Sequence, residues 1–251
     1  MTADSANEPA VLLPWDTDFW GFPVGRVRGD TLTAGGAAAI DAWARAGGVR
    51  CLYFLARSDD APTVRVAQDN GYRFVDARVT FRQRLRGTPP VPAVAGIAVR
   101  DGAAADGAVL GRIARGSYRD TRFSFDDGFP KDRADALYVR WIGQNCESDD
   151  TFVLIAEGEG RPVGYISGHR APTDGVAGSI VLVGVHPEAR GVGVGQLLVQ
   201  AALARFAAEG RHDLSVVTQG RNDAAQRLYQ RNGFLTSEVR WWFHRWYASL
   251  E

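Results

Sequence analysis

The amino-acid sequence predicts an α/β fold of the mixed α+β kind, with a mixed β-sheet flanked by helices. A nearly continuous apolar run from Ser179 to Val185 is typical of a central strand that is covered on both faces. A glycine-rich turn at residues 190–195 follows it and leads into an amphipathic helix. Strand-like and helix-like segments alternate on both sides of this unit, which indicates layers of helices on a sheet.

Length, charge and apolar content limit the classes of protein that the sequence can encode. The 251 residues are 45% hydrophobic, enough for one large or two small cores, and 29 basic residues cancel 29 acidic ones. With balanced charges, the protein has no overall positive electrostatic field to attract nucleic acid, and no nucleic-acid partner is expected. Residues 1–10 do not resemble a signal peptide, and no apolar run reaches the roughly 18 to 20 residues of a membrane span. The sequence predicts a cytoplasmic protein without membrane association.

The two cysteines, Cys51 and Cys146, lie far apart, and neither has a His or Cys neighbour at the spacing of metal ligands. Neither a disulfide framework nor a metal site is predicted. Because Cys51 falls within an apolar strand-like run, we interpret it as a buried structural thiol.

The chain divides at a proline-rich stretch, residues 88–92, which favours an extended connector. We predict an N-terminal domain at 1–87, a linker at 88–95 and a C-terminal domain at 96–251. A gap-free shift of 162 residues aligns the two halves and suggests an internal repeat, although two unrelated strand-helix-strand units could also match by chance. The shift pairs Leu52 with Leu214, Gln68 with Gln230, Asn70 with Asn232, Gly71 with Gly233, Tyr72 with Phe234, Arg78 with Arg240 and Phe81 with Phe243.

The second half carries a regular succession of elements. Apolar periodicity and turn residues predict strands at 97–100, 151–157, 162–169, 179–185 and 213–218, and helices at 104–117, 131–146, 195–209 and 222–231. The Gly158-Glu159-Gly160 turn predicts a hairpin, and Asn222 is a favourable N-cap.

The glycine-rich turn is the first candidate site. Gly191, Gly193 and Gly195 let the backbone approach a ligand closely, and Arg190 adds a positive charge at the start of a helix. This arrangement suits a pyrophosphate, although an ordinary glycine-rich turn would have the same composition. A dinucleotide fingerprint would need a third glycine where Gln196 stands, which disfavours a nicotinamide cofactor.

The stretch from Val183 to Gly195 resembles the acetyl-coenzyme A signature of the GCN5-related N-acetyltransferases (GNAT), and the stretch from Asn222 to Phe234 resembles their second motif. The resemblance implies a splayed central sheet, a degenerate half-GNAT N-terminal domain and acetyl-coenzyme A (acetyl-CoA) as cosubstrate, with no metal. It also implies the residues that bind acetyl-CoA, which are Val183, Val185, Arg190, Gly191, Val192, Gly193, Val194, Gly195, Gln196 and Asn222.

The same resemblance implies Tyr229 as the general acid that protonates the departing thiolate, although an aromatic residue in a short amphipathic helix is more often core packing. A phenol with a pKa of roughly 10 stays protonated at neutral pH. Val183 N–H would bind the carbonyl oxygen of the acetyl group. His186, Glu157 and His169 remain alternatives for the general base.

The first half lacks the corresponding site residues. The 162-residue shift places Ala67 opposite Tyr229 and Asp60 opposite Asn222, with Asp30 beside the position of the pyrophosphate turn. We therefore expect one active site, in the second half.

Two further stretches, residues 15–27 and 121–130, resemble the TDP-fucosamine acetyltransferases, which implies a nucleotide-linked amino sugar as acceptor. Aromatic and cationic side chains suited to such a small-molecule amine are Tyr118, Arg122, Phe123 and Arg170. Alternatives are acetylation of a protein or peptide N-terminus or of an antibiotic amine, and a non-catalytic acetyl-CoA-binding module. The sequence is also compatible with a homodimer.

Overall fold

The computed structural model describes residues 8–172 and 175–248. The strands are β1 (Ala10–Leu12), β2 (Val24–Val27), β3 (Cys51–Arg57), β4 (Arg73–Arg84), β5 (Ile97–Asp101), β6 (Thr151–Gly158), β7 (Arg161–His169), β8 (Gly178–Val185), β9 (Asp213–Gln219) and β10 (Leu235–Trp246). The α-helices are α1 (Pro14–Trp20), α2 (Ala34–Ala46), α3 (Ala61–Asp69), α4 (Gly107–Ala114), α5 (Arg122–Phe125), α6 (Lys131–Glu147), α7 (Val194–Ala208) and α8 (Asp223–Arg231). Among these residues, no helix is long and apolar enough to cross a membrane.

The strands form one sheet in the order β1-β2-β3-β10-β4-β9-β8-β7-β6-β5. The pairs β2·β3 and β8·β9 are parallel and the others are antiparallel, so the predicted mixed sheet with flanking helices is confirmed. The last strand, β10, lies between two strands of the first half, and β4 of the first half pairs with β9 of the second. The two halves therefore interleave within one sheet, and their assignment as separate domains stays a prediction.

The strand registers follow the same 162-residue shift as the sequence comparison. Arg78 on β4 pairs with Gln219 on β9, and Arg240 on β10 pairs with Arg57 on β3. The members of the first pair lie 162 residues from their counterparts in the second. Because Arg78 and Arg240 are also direct partners across β4 and β10, the two halves have a pseudo-two-fold relation around that pair.

Helices cover both faces of the sheet. On one face, α7 and α8 bury a core that includes Leu198 and Phe206, while α2 and α3 cover the first-half strands. On the opposite face, α1, α4, α5 and α6 pack over an aromatic core that includes Trp20, Tyr53 and Phe129. The cleft described below opens between these layers.

Several local predictions are confirmed, and one helix is shorter than expected. The β6–β7 hairpin turns through Glu159 and Gly160, which both have positive φ, as a two-residue hairpin loop requires. Cys51 is fully buried. The predicted helix at 104–117 consists of a 3₁₀ turn at 104–106 and then α4. It ends at Ala114, two residues before Gly116, where φ is 75°.

A buried histidine ties the segment around α5 to the sheet. His244 Nδ1 lies 2.6 Å from Asp126 Oδ2, which also accepts a hydrogen bond from Trp246 Nε1. His244 is fully buried, and this burial lowers its pKa from 6.5 to about 4. The contact fixes the segment that carries Arg122 against β10.

We expect His244 to make the fold sensitive to acid. Since the folded-state pKa is depressed, the unfolded chain binds an extra proton between pH 6.5 and about pH 4. The contribution of His244 to the free energy of unfolding is therefore fully present above pH 6.5. It decreases as the pH falls, by at most about 1.4 kcal/mol per pH unit. Urea unfolding at several pH values should show a weaker acid dependence for His244→Asn than for the wild type. The exposed His212, changed to Asn, is the control, and equal slopes for all three proteins would contradict the assignment.

Candidate active site

The sheet splays open between β8 and β9. These two parallel strands pair only from Gly178 to Ile180 on β8 and from Leu214 to Val216 on β9. Beyond these residues, β8 continues to Val185 and β9 to Gln219 without pairing to each other. The gap leaves backbone hydrogen-bonding groups of two central strands available to a ligand.

Val183 and Val185 direct their backbone groups into this gap. His186 N–H donates to the Val163 carbonyl on β7, and Gly184 pairs with Tyr165 on the same strand. Because successive residues of a strand point their N–H and C=O groups in opposite directions, those of Val183 and Val185 face β9. The Val185 carbonyl accepts a hydrogen bond from Arg190 Nε at 3.1 Å.

The glycine-rich turn ends at the start of α7. Gly191 has φ of 81° and Gly193 has φ of 97°, a left-handed conformation that glycine adopts without strain. Gly193 is the N-cap of α7 and has no side chain to bond the N–H groups of the first turn. These donors, together with the positive end of a 15-residue helix, make one end of the gap chemically suited to an anion.

Helix α8 lies on the other side of the gap and carries Asn222 and Tyr229. The Asn222 side-chain oxygen accepts from Ala225 N–H at 3.0 Å, which caps the helix and leaves its amide N–H₂ group to reach a ligand. The ring of Tyr229 packs against Phe81 and Phe234. Its burial raises the pKa of the phenol well above its usual value, so the hydroxyl stays protonated at neutral pH.

These elements surround a cleft of about 1060 Å³. The residues predicted from the acetyl-CoA signature line it, except Val192, which is exposed in the turn. Several other lining residues were not predicted: two lie within the second motif, and the others come from distant segments that only the fold brings together. They are Arg78, Ser117, Asp120, Tyr138, Trp141, Arg227 and Arg231.

The predicted substrate residue Tyr118 also lines the cleft. Its ring stacks on Tyr138 with centroids 4.1 Å apart, and its hydroxyl lies 2.9 Å from the Tyr165 hydroxyl. Burial raises the pKa of both Tyr118 and Tyr165. This end of the cleft is therefore bordered by neutral phenols that can donate and accept hydrogen bonds.

The structure places the other three predicted substrate residues outside the cleft lining. Phe123 is buried among Trp20, Tyr53 and Phe129. Arg122 lies between aromatic rings on the same face of the sheet.

Arg170 is occupied by contacts away from the cleft. Its guanidinium contacts Glu209 and donates to the carbonyls of Asp149 and Thr151. These bonds leave Arg170 to brace the end of β7 against α7.

None of the three candidates for the general base lines the cleft. Glu157 bonds Arg100 at 2.8 Å, His186 lies 3.7 Å from Glu188, and His169 Nδ1 accepts from Ala171 N–H. Among the described lining residues, the only carboxylate is Asp120, which is exposed.

The corresponding region of the first half is filled by its own side chains. Thr33 caps α2 by accepting from Gly36 N–H, and Asp30 forms an ion pair with Arg240 at 3.3 Å. Strand β2 ends at Val27 after pairing with β3, so it has no overhang like that of β8. An anionic ligand would meet a carboxylate and a capped helix there, which supports a single site in the second half.

Comparison with protein families matches residues 117–234 to the model of the Acetyltransferase (GNAT) family. The chain is 29% identical over 187 residues to a mycothiol acetyltransferase of Actinosynnema mirum, a match that covers 72% of this chain and 59% of that protein. It is 23% identical over 134 residues to the spore coat polysaccharide biosynthesis protein SpsD of Bacillus subtilis, covering 53% and 45% of the two chains. The chain thus spans about half the length of these relatives.

A solved structure shares the fold. The GCN5-related N-acetyltransferase from Sphaerobacter thermophilus superposes with a TM-score of 0.66 at 18% identity, covering 94% of this chain and 76% of that one. The likeness extends across both halves of the interleaved sheet.

Proposed function

Residues 117–234 match the model of the acetyltransferase (GNAT) family, and from that premise we propose that the protein transfers an acetyl group from acetyl-CoA to a primary amine. The observation that carries the proposal is the gap between β8 and β9, which ends at the uncapped start of α7. An extended arm with amide groups fits such a gap as an added strand, and a pyrophosphate fits the helix start.

The residues present fit acetyl-CoA along its length. Val183 and Val185 would bond the pantetheine amides, and the Asn222 side chain would donate to the same arm. The turn from Gly191 to Gly195 would hold the pyrophosphate with its N–H groups, and Gln196 lies in the same first turn of α7. Arg190, Arg227 and Arg231 supply positive charge nearby.

Tyr229 is the proposed general acid. Acetyl-CoA supplies the acetyl group as a thioester, whose carbon–sulfur bond breaks as a carbon–nitrogen bond to the amine forms. The Tyr229 hydroxyl donates its proton at the departing sulfur, while Val183 N–H stabilises negative charge on the acetyl oxygen. The nitrogen loses a proton during the same reaction, and passage of that proton through solvent to the Tyr229 phenolate restores the enzyme with no net change.

Asp120 is our proposal for the group that accepts the proton of the amine, through water. It is the only carboxylate among the described residues that line the cleft, and it lies two residues from Tyr118. A carboxylate at this position would attract the amine in its protonated form. Because only the neutral amine can attack, the carboxylate must then accept a proton from it.

The proposed acceptor is a small amine such as a nucleotide-linked amino sugar. The rings of Tyr118, Tyr138 and Trp141 line the acceptor side, which suits stacking against a sugar ring. The relative SpsD is named for polysaccharide biosynthesis, which is consistent with this acceptor class. The segment from Tyr118 through α5 packs onto the protein beside the cleft, which favours a small acceptor over a peptide chain.

A thiol-release assay tests the proposal directly. The full chain is incubated with acetyl-CoA and a panel of amino sugars, TDP-linked amino sugars, aminoglycosides and short peptides, and free coenzyme A is measured. We expect release that depends on an amino sugar and yields an N-acetylated product by mass spectrometry. Release only with peptides would replace the acceptor assignment, and binding of acetyl-CoA without release for any amine would identify a non-catalytic module.

A further inference from the structure

A cluster of charged and aromatic residues joins the two halves beside the cleft. Its members lie on the face of the sheet that carries α5, and we call them the inter-half cluster: Asp76 on β4, Arg122 and Phe125 on α5, Arg221 after β9, and Trp242 on β10. The mechanism proposed above uses none of them.

The cluster borders the acceptor side of the cleft. Asp76 lies two residues from Arg78 on β4, so both side chains are on the same face, and Arg78 lines the cleft. Arg221 stands between the lining residues Gln219 and Asn222, and Arg122 follows the lining residue Asp120 by two positions.

Arg122 is held by aromatic rings and forms no direct ion pair with a carboxylate of the described residues. Its guanidinium carbon lies 3.9 Å from the ring centroid of Trp242 and 4.5 Å from that of Tyr53. The Nη1 atom is buried without a hydrogen-bond partner, and the carboxylate of Asp16 interacts with the guanidinium electrostatically without a direct ion pair. Burial lowers the pKa of this guanidinium, and Asp16 acts in the opposite direction.

Arg221 presents a second incompletely bonded guanidinium. It lies 3.9 Å over the ring of Phe125, which is 57% exposed, and its Nη2 atom donates to the Val75 carbonyl. Its Nε atom is 3.5 Å from Asp76 Oδ1 but is buried without a hydrogen bond. Asp76 is only 1% exposed, and its Oδ2 atom also lacks a partner.

These observations point to a ligand that supplies hydrogen-bonding partners for the buried, unpartnered atoms of the cluster. A buried donor without a partner is unfavourable, and an oxyanion bound to the guanidinium groups would remove that cost. Asp76 and Asp16 partly compensate the charges of Arg122 and Arg221, but the unpartnered N–H groups of these arginines remain available to a ligand. Asp76 Oδ2 remains to accept a bond from a hydroxyl group of the same ligand.

We propose that the inter-half cluster binds an oxyanion of the acceptor, a phosphoryl or carboxylate group remote from the reacting amine, through Arg122 and Arg221. This inference rests on the proposed function and narrows its acceptor to amines that carry an acidic group. It also gives the first half a role, because β4 supplies Asp76 at the floor of this site.

Binding measurements test the site independently of catalysis. The full chain, saturated with coenzyme A to block the glycine-rich turn, is titrated with inorganic pyrophosphate and, separately, with glucuronate. We expect Arg122→Met and Arg221→Met each to weaken anion binding about ten-fold, the effect of one lost charge-assisted hydrogen bond. Arg161→Met, at an exposed arginine in the β6–β7 hairpin, is the matched control. Stronger binding of pyrophosphate indicates a phosphoryl group, and stronger binding of glucuronate a carboxylate.

Turnover then separates this inference from the proposed function. We expect a lower KM for glucosamine 6-phosphate or muramic acid than for glucosamine, and Arg122→Met to remove that difference with little change in kcat. Arg122→Lys keeps the charge without the planar fork and should fall between, while unchanged coenzyme A affinity shows that the variants are folded. Anion binding that is absent, or insensitive to both arginine variants, overturns the inference. Anion binding without acetyl transfer to any amine overturns the proposed function alone.

Discussion

Replacing Tyr229 with Phe should lower kcat for acetyl transfer by at least about 100-fold, the usual contribution of a positioned general acid. The substitution removes only the hydroxyl, so the ring contacts with Phe81 and Phe234 remain. The affinity for acetyl-CoA should change little, because the proposed cofactor contacts come from the β8 backbone, the glycine-rich turn and Asn222. Steady-state kinetics and calorimetric titration measure the two effects separately.

A matched control is available in the first half. Tyr72 is a buried tyrosine whose hydroxyl has no hydrogen-bond partner, and it lies outside the cleft. Tyr72→Phe should leave kcat unchanged. If Tyr229→Phe also retained wild-type kcat, Tyr229 would be core packing, and another group would have to protonate the thiolate.

Replacing Gly193 with Asp should weaken acetyl-CoA binding by at least about 100-fold. The new carboxylate would lie at the N-cap of α7. There it would accept hydrogen bonds from the N–H groups that otherwise bind the pyrophosphate, and it would repel the negative charge of the pyrophosphate. The backbone at Gly193, with φ of 97°, also disfavours any side chain.

Two further variants separate charge from backbone strain. Gly193→Ala has the same strain without the charge, so its loss of affinity should be much smaller. Gly210→Asp places the same change at a glycine of similar conformation just beyond the other end of α7, where no atom lies within 4 Å of the added carbon. It should bind acetyl-CoA normally, and a loss of affinity equal to that of Gly193→Asp would indicate a general effect on the fold.

The second-half elements could be predicted because their information is local. The apolar run of β8, the glycines of the turn and the N-cap Asn222 specify their own conformations, and the structure shows them as expected. The residues matched by the predicted repeat include Arg78 and Arg240, which pair directly across β4 and β10.

The interleaving of the halves could not be predicted in this way. The sequence of β10 does not indicate that it pairs with β3 and β4 of the first half. Pairing with strands of its own half would bury the same apolar side chains. Arg122 was selected from its residue type and its resemblance to a family stretch, yet its partners Trp242 and Tyr53 come from two other strands. Asp76 and Arg221 carried no sequence signal, because their unpartnered atoms become apparent only after folding.

The central claim is that one acetyl-CoA binds per chain, in the gap between β8 and β9. Calorimetric titration of the full chain with acetyl-CoA tests it most directly when wild type and Gly193→Asp are compared. We predict a stoichiometry of one for the wild type and strongly weakened binding for the variant. A stoichiometry of two, or equal affinity in the two proteins, would contradict the claim.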